Sequence, residues 1–392
     1  MKIVADENIP LLKEAFSSLG EVTALPGRSI TKDDLNDAEI LLVRSVTQVN
    51  KSLLENTPVK FVASATIGFD HLDLEYLKKR DIPWSTAPGC NATAAAEYVV
   101  TALFHVAALR DLALKGKTAA IIGCGNVGSR VKLRLAALGI NCIINDPPLQ
   151  EQEPEQKFIN LDEALSADII TLHVPLERSG HHPTHHLLNR HNLSRINNKS
   201  ILINTSRGSV IDNAALLSHL QHTPLTTVLD VWEGEPNILP ELLDACILGT
   251  PHIAGYSLDG RVRGTEMIYQ ACCNYLNVAT SWQAESVLNK VENSVINLCE
   301  LEDNHSSIQQ ALRHIYKIVA DDQTLRNTMI QPEKQRGTAF DQLRRDYPLR
   351  REFACYTVTI TPQQREFSEV LQSLGFKVRD CPIKPQPVNE FE

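Results

Sequence analysis

Apolar residues fall into short runs separated by amphipathic segments at helical spacing. Lys2-Ile-Val-Ala5, Glu21-Val-Thr-Ala-Leu25, Ala38-Glu-Ile-Leu-Leu-Val43 and Lys60-Phe-Val-Ala-Ser64 read as strands, and residues 10–19 as a helix closed by Gly20. The rhythm returns at Lys117-Thr-Ala-Ala-Ile-Ile122, Asn141-Cys-Ile-Ile-Asn145, Ala167-Asp-Ile-Ile-Thr-Leu172, Ser200-Ile-Leu-Ile-Asn204, Thr226-Thr-Val-Leu-Asp230 and Ala245-Cys-Ile-Leu248. Alternation of this kind predicts an α/β fold, with parallel sheets covered by helices on both faces. Two long helical stretches, 92–110 and 260–279, carry the chain out of a first lobe and back into it. The expected organisation is two doubly wound, Rossmann-like domains, one of residues 1–96 plus 255–286 and the other of residues 97–254, with a cleft between them. Beyond 286 the rhythm stops. Helical patterns at 307–319 and 363–374 flank a strand, Ala354-Cys-Tyr-Thr-Val-Thr-Ile360, and Phe376-Lys-Val378 suggests another. These predict a small α+β domain over 287–380, followed by a Pro-rich, disordered tail over 381–392.

Composition narrows the function classes. A hydrophobic share of 43% and a charged share of 22% are ordinary for a globular chain. A net charge of −9 argues against a nucleic-acid surface. Met1-Lys-Ile-Val-Ala-Asp-Glu7 meets charge at once, unlike a secretory segment, and no apolar run reads as long enough to span a bilayer, so no membrane partner is expected. Nine cysteines, an odd number without a Cys-x-x-Cys pair, suggest a reduced cytoplasmic protein, not a disulfide scaffold.

The most specific segment is Gly123-Cys-Gly-Asn-Val-Gly128, which follows a strand and opens a helix. Gly123 allows the tight turn, Gly125 lets backbone N–H groups approach a diphosphate, and Gly128 lets helix and strand pack closely. Asn126 and Val127 start the helix, whose unpaired N–H groups favour an anion. Asp146 ends the next strand about twenty residues on, where a ribose hydroxyl is held in dinucleotide folds. Pro147 and Pro148 follow it, and no Arg is placed to neutralise a 2′-phosphate. NAD is therefore expected over NADP.

Three segments leave strand ends of the same lobe, where open α/β sheets place ligands. They are Asn204-Thr-Ser-Arg-Gly208, Asp230-Val-Trp-Glu-Gly-Glu-Pro236 and Thr250-Pro-His-Ile-Ala-Gly-Tyr256. Together they offer Arg207, Glu235 and His252. Oxidising a secondary alcohol needs a base for the hydroxyl proton, which neutral His supplies near pH 7, and a carboxylate steadies the imidazolium that forms. A substrate carboxylate asks for a planar two-point donor, which Arg supplies and Lys does not.

With these motifs the chain resembles the NAD-dependent D-isomer-specific 2-hydroxyacid dehydrogenases over roughly residues 1–285. Ala5-Asp-Glu-Asn-Ile-Pro10, Val43-Arg-Ser-Val-Thr47, Ala65-Thr-Ile-Gly-Phe-Asp-His-Leu-Asp73, Ala87-Pro-Gly-Cys-Asn-Ala92 and His252-Ile-Ala-Gly-Tyr-Ser-Leu-Asp-Gly260 narrow the likeness to a branch acting on a small phosphorylated 2-hydroxy acid. The resemblance implies that Arg207, Glu235 and His252 are catalytic and that Ser45, Thr66 and Tyr256 contact substrate. It implies that Asp146, Val174, Thr205, Ser206, Arg207, Asp230 and Gly255 contact NAD. Many relatives have Thr where Val174 stands, so a bond to NAD there would use the backbone. It also implies a homodimer built by the C-terminal domain.

Arg44, beside Ser45, is a candidate for the substrate phosphate. Arg344, Arg345, Arg350 and Arg351 read first as a solvated or interface run, although one or two could reach a neighbouring active site in a dimer. His181, His182, His185 and His186 are interrupted by Pro183 and read as a surface loop, with no metal expected. Trp84, Trp232 and Trp282 read as packing anchors. The chemistry is expected to be complete by about residue 285. Ile308, Leu312, Ile315 and Val319, with strand 354–360, would then be covered by the same face of a second copy. The alternatives are another 2-hydroxyacid dehydrogenase, such as one for 3-phosphoglycerate, or an NAD-sensing binding protein on the same scaffold.

Overall fold

The structure, a computed structural model, describes residues 1–284, 288, 291–301 and 304–381. The expected boundary at 286/287 and residues 382–392 of the expected tail lie outside them.

Five parallel strands, β1 (Lys2–Asp6), β2 (Glu21–Leu25), β3 (Ile40–Val43), β4 (Phe61–Ser64) and β5 (Trp84–Ser85), form the first sheet in the order β2-β1-β3-β4-β5. β3 and β4 are buried at every residue, which their unbroken apolar runs require in a sheet covered on both faces. The second sheet is also parallel. It contains β6 (Thr118–Ile122), β7 (Asn141–Asn145), β8 (Ile169–Leu172), β9 (Ile201–Asn204), β10 (Thr226–Leu229) and β11 (Leu248–Gly249), in the order β11-β10-β9-β8-β6-β7. From β6 the chain goes to β7 on one side and then to β8 on the other. That is a topological switch point, with the glycine turn at the end of β6.

The helix Ala92–Arg110 is, among the described residues, the one helix apolar and long enough to span a membrane. An apolar run of that length does therefore occur, against the expectation of none. Its residues are mostly buried inside the molecule, which marks a core helix. Leu258–Leu276 is the second long helix.

The C-terminal segment holds a third parallel sheet, of β12 (Val295–Asn297), β13 (Thr357–Ile360) and β14 (Lys377–Asp380), with β13 in the middle. The pattern read as one helix at 307–319 is two, Asn304–Ile315 and Ile318–Met329, broken at Tyr316-Lys317. The helix Glu333–Arg345 was not foreseen, since its sequence is mostly polar and only Gly337 and Phe340 are buried. Ile308 and Leu312 are buried against Ala92–Arg110, and Val358 and Ile360 join the same core. The face expected to await a second copy is therefore largely covered within the chain, and of its four helical residues only Val319 is largely exposed. Cys299 and Cys381, distant in sequence, form a disulfide, against the expectation of a wholly reduced chain, while seven cysteines are free. Trp232 is a buried anchor, but Trp84 is exposed.

Residues 350–353 strap the C-terminal segment to both long helices. Arg351 Nη2 pairs with Asp259 at 2.9 Å, Glu352 with Arg263 at 2.9 Å, and Phe353 N–H donates to Glu97 at 2.9 Å. Burial, reinforced by the charge of Glu352, pushes the Glu97 carboxyl up to about 8, against the pull of Phe353 N–H, Arg134 and Arg350. A raised folded-state pKa favours folding fully below the ordinary carboxyl value and loses that contribution as pH climbs through about 8. Stability should fall through this window by as much as ~1.4 kcal/mol per pH unit from this group. Thermal unfolding of Glu97→Gln, which cannot ionise, should show a flatter pH dependence than the parent. Parallel profiles would remove Glu97 as the cause.

Candidate active site

The glycine turn has the features a diphosphate requires. Gly123 takes φ +86°, and a Cβ there would crowd Val174 and His173 backbone from the neighbouring strand end. A Cβ on Gly128 would strike the Gly123 carbonyl. Space above Gly125 is open, and no side chain caps the helix Asn126–Ala137 that starts there. Exposed Asn126 and part-buried Val127 thus begin a helix whose first-turn N–H groups have no side-chain acceptor. Asp146 Oδ2 accepts from Cys124 N at 2.7 Å and Oδ1 from Leu149 N at 3.0 Å. Each oxygen keeps a lone pair for a ribose hydroxyl. These residues fit a dinucleotide.

Asp146→Ala should weaken NAD use and relax discrimination against NADP, because a hydrogen-bond acceptor and a negative charge both go. Initial rates with the two cofactors measure this. Equal use of NADP by the parent chain would contradict the role given to Asp146.

At the ends of β8 and β9, His173 bonds Thr171 Oγ1 at 2.9 Å and Thr205 Oγ1 at 3.2 Å. Burial drives its pKa down to about 3, so it is a neutral linker that fixes Thr205 beside Val174. Ser206 N and Oγ both donate to Asn204 Oδ1, which shapes the turn presenting Arg207. Arg207 Nη1 donates to Ser206 O at 2.8 Å. Its Nε and Nη2 reach Asp70 Oδ2, each at 3.3 Å, on the loop of the first lobe.

Asp230 is buried beneath the next turn. It accepts from Thr250 Oγ1, Ile253 N and Ala254 N at 2.6–2.9 Å, which leaves it little capacity for a cofactor bond. Its visible work is to hold the backbone of His252, which sits at φ +57°. His252 Nδ1 meets Glu235 Oε2 at 2.7 Å, and Glu235 Oε1 accepts from Trp232 N at 2.7 Å. Burial pushes the Glu235 carboxyl up, but His252, Arg344 and Trp232 N–H together hold it below its ordinary value. With Glu235 ionised, Nδ1 carries the proton and Nε2 is the free base. Gly255 follows, tight against the Asn91 side chain.

On the first lobe Ser45 is exposed and Arg44 half-buried at the end of β3. Thr66 Oγ1 bonds Ser64 Oγ at 2.8 Å, and Ser64 Oγ bonds His71 Nε2 at 2.9 Å. Tyr256 lies beside Arg344, whose guanidinium carbon is 5.7 Å from the ring centre. Asp70, His71 and Arg261 were not expected in this region, and Arg344, expected at most to reach a neighbouring active site in a dimer, lies against Tyr256 of its own chain. Asp70 and His71 lie inside the segment 65–73, whereas the only signal at Arg344 is its place in a basic run. Arg350 and Arg351 are tied to Ala254 O and Asp259, so the basic run is largely internal. In the histidine loop, His186 bonds Glu233 at 2.7 Å while the His185 and His186 rings stack at 4.0 Å. One ligand atom each of His185, His186 and Glu233 lies within 4.8 Å of the others, so a carboxylate does join the histidines in a group that could hold a metal ion, against the expectation of a plain surface loop.

Residues 93–254 match the family model of the D-isomer specific 2-hydroxyacid dehydrogenase, NAD binding domain, and residues 287–375 match a domain of unknown function. The D-lactate dehydrogenase of Aquifex aeolicus, solved with NAD and lactic acid, is similar in structure, with a TM-score of 0.60 and 26% identity over 71% of this chain and 96% of that one. The fold and site define an NAD-dependent 2-hydroxyacid dehydrogenase. Erythronate-4-phosphate dehydrogenase of Marinobacter nauticus is 45% identical over 383 residues, which span 97% of this chain and 100% of the relative. That of Proteus mirabilis is 43% identical over 379 residues, 96% of this chain and 99% of the relative. The chain belongs to the erythronate-4-phosphate dehydrogenase family.

Proposed function

We propose that the cleft oxidises 4-phospho-D-erythronate at C2 to (R)-3-hydroxy-2-oxo-4-phosphooxybutanoate, a step in pyridoxal 5′-phosphate (vitamin B6) biosynthesis. The observation that supports this most is the His252–Glu235 pair at 2.7 Å, set at the strand ends of the NAD lobe. NAD, when bound, supplies the hydride acceptor. His252 Nε2 takes the hydroxyl proton, and Glu235 stabilises the imidazolium and keeps the ring oriented. Arg207 holds the substrate carboxylate and polarises the developing carbonyl. Ser45, Thr66 and Tyr256 line the remainder of the substrate, with Arg44 towards its phosphate. Gly123, Gly125, Asn126, Val127 and Gly128 hold the diphosphate and Asp146 the ribose. Val174, Thr205, Ser206 and Gly255 complete the nicotinamide side, with Asp230 acting through the His252 turn.

The working units are a substrate lobe of 1–96 and 255–286, an NAD lobe of 97–254 and a C-terminal domain of 287–380. We assign a homodimer built by the C-terminal domain, where Val319, Ile330 and Leu349 are exposed, and a cytoplasmic location, in which the Cys299–Cys381 pair would be reduced like the seven free cysteines. Initial rates with NAD and either 4-phospho-D-erythronate or 3-phosphoglycerate test the substrate. Preference for the first is expected, and preference for the second would overturn the assignment.

A further inference from the structure

Arg44, Arg261 and Arg344 come from three separate parts of the chain, and none is in an ion pair among the described residues. Arg44 follows β3, Arg261 lies in the first turn of Leu258–Leu276, and Arg344 lies in the last turn of Glu333–Arg345. All three act on Tyr256. Burial pushes this phenol up, but the charges of Arg344, Arg44 and Arg261 outweigh it and hold the pKa below the ordinary value. Arg261 is itself held down by burial and by the charge of Arg44. The Nε atoms of Arg261 and Arg344 are buried without a hydrogen-bond partner. Three like charges and two orphaned donors form an arrangement that costs free energy until an anion enters.

We propose that Arg344, delivered by the C-terminal domain of the same chain, joins Arg44 and Arg261 around Tyr256 as the subsite for the substrate's phosphate. This rests on the reading of the cleft given above and adds to it the residues that set specificity. Arg207 is enough for a carboxylate, whereas a phosphate near −2 presents three acceptor oxygens and matches a cluster of guanidinium groups. The Glu333–Arg345 helix is fixed from both sides. Asp341 pairs with Arg28 of the substrate lobe at 2.7 Å, and Gly337 lies against Pro236 and Asn237, just after Glu235. Phe340 is buried in the core of the NAD lobe. The domain beyond residue 286 is then part of the active site and is not an appendage used only for assembly.

The test compares full-length Arg344→Gln, Arg44→Gln and Arg344→Lys with the parent. The ratio of kcat/KM for 4-phospho-D-erythronate to that for D-erythronate should fall about 10- to 100-fold in both Gln variants, the scale of one charge-assisted hydrogen bond, and Lys should recover part of it. Equal losses on both acids would show a merely structural role and overturn the proposal, as would an unchanged ratio. Calorimetry with inorganic phosphate, at saturating NAD, separates this from the reaction itself. The parent should bind phosphate and the Gln variants should bind it at least tenfold more weakly. Equal phosphate binding by all would overturn the subsite. Loss of phosphate binding in the variants, in a parent that oxidises neither acid, would leave the subsite standing and refute the substrate assignment alone.

Discussion

His252→Gln should keep the fold and NAD affinity while losing on the order of 10²–10⁴ in kcat, the usual contribution of a positioned general base. The Gln side chain fills similar space and can still hydrogen-bond Glu235, so the protein should unfold at nearly the parent's temperature. What it lacks is a nitrogen able to take the hydroxyl proton. Glu235→Gln probes the same pair from the other side. The Glu235 carboxylate, held below its ordinary value, fixes the ring through Nδ1, and its loss should lower kcat while leaving NAD affinity near the parent's. A Glu235→Gln or His252→Gln enzyme with near-normal turnover would show that this pair is not the base.

Arg207→Lys should lower kcat/KM about 10²- to 10³-fold, as expected when an electrostatic donor to the reacting group is removed. The change keeps the charge and removes the planar fork. In the structure two nitrogens of Arg207 address one oxygen of Asp70, while the third holds Ser206 O. That contact shows how a carboxylate can be met from this position. A single ammonium cannot hold the backbone carbonyl and two-point contact together. Steady-state kinetics, with NAD binding measured separately, decide it. A loss confined to NAD affinity would place Arg207 on the cofactor alone.

The two large sheets were legible because buried parallel strands leave apolar runs punctuated by Gly, Pro and Asp. The residues around the glycine turn were legible for a related reason: the turn dictates glycines by backbone geometry, and Asp146 follows at a spacing fixed by one helix and one strand. Arg207, Glu235 and His252 could be grouped because each lies directly after a strand of one sheet. Arg344 could not, since it sits on a polar helix whose position depends on Phe340 packing into the NAD lobe and Asp341 reaching Arg28. The apolar face of Ile308 and Leu312 was read as unpartnered because the surface covering it, the helix Ala92–Arg110, lies some two hundred residues earlier. For the same reason, nothing local to Cys299 or Cys381 signals their pairing.

The most direct measurement uses 4-phospho-D-erythronate carrying deuterium at C2, with NAD and the purified full-length protein. Mass spectrometry of the cofactor should find the deuterium in the reduced nicotinamide, with the 2-oxo acid formed in equal amount. Deuterium appearing in water, or no reduced cofactor from this acid under conditions where the protein is folded and binds NAD, would contradict the account.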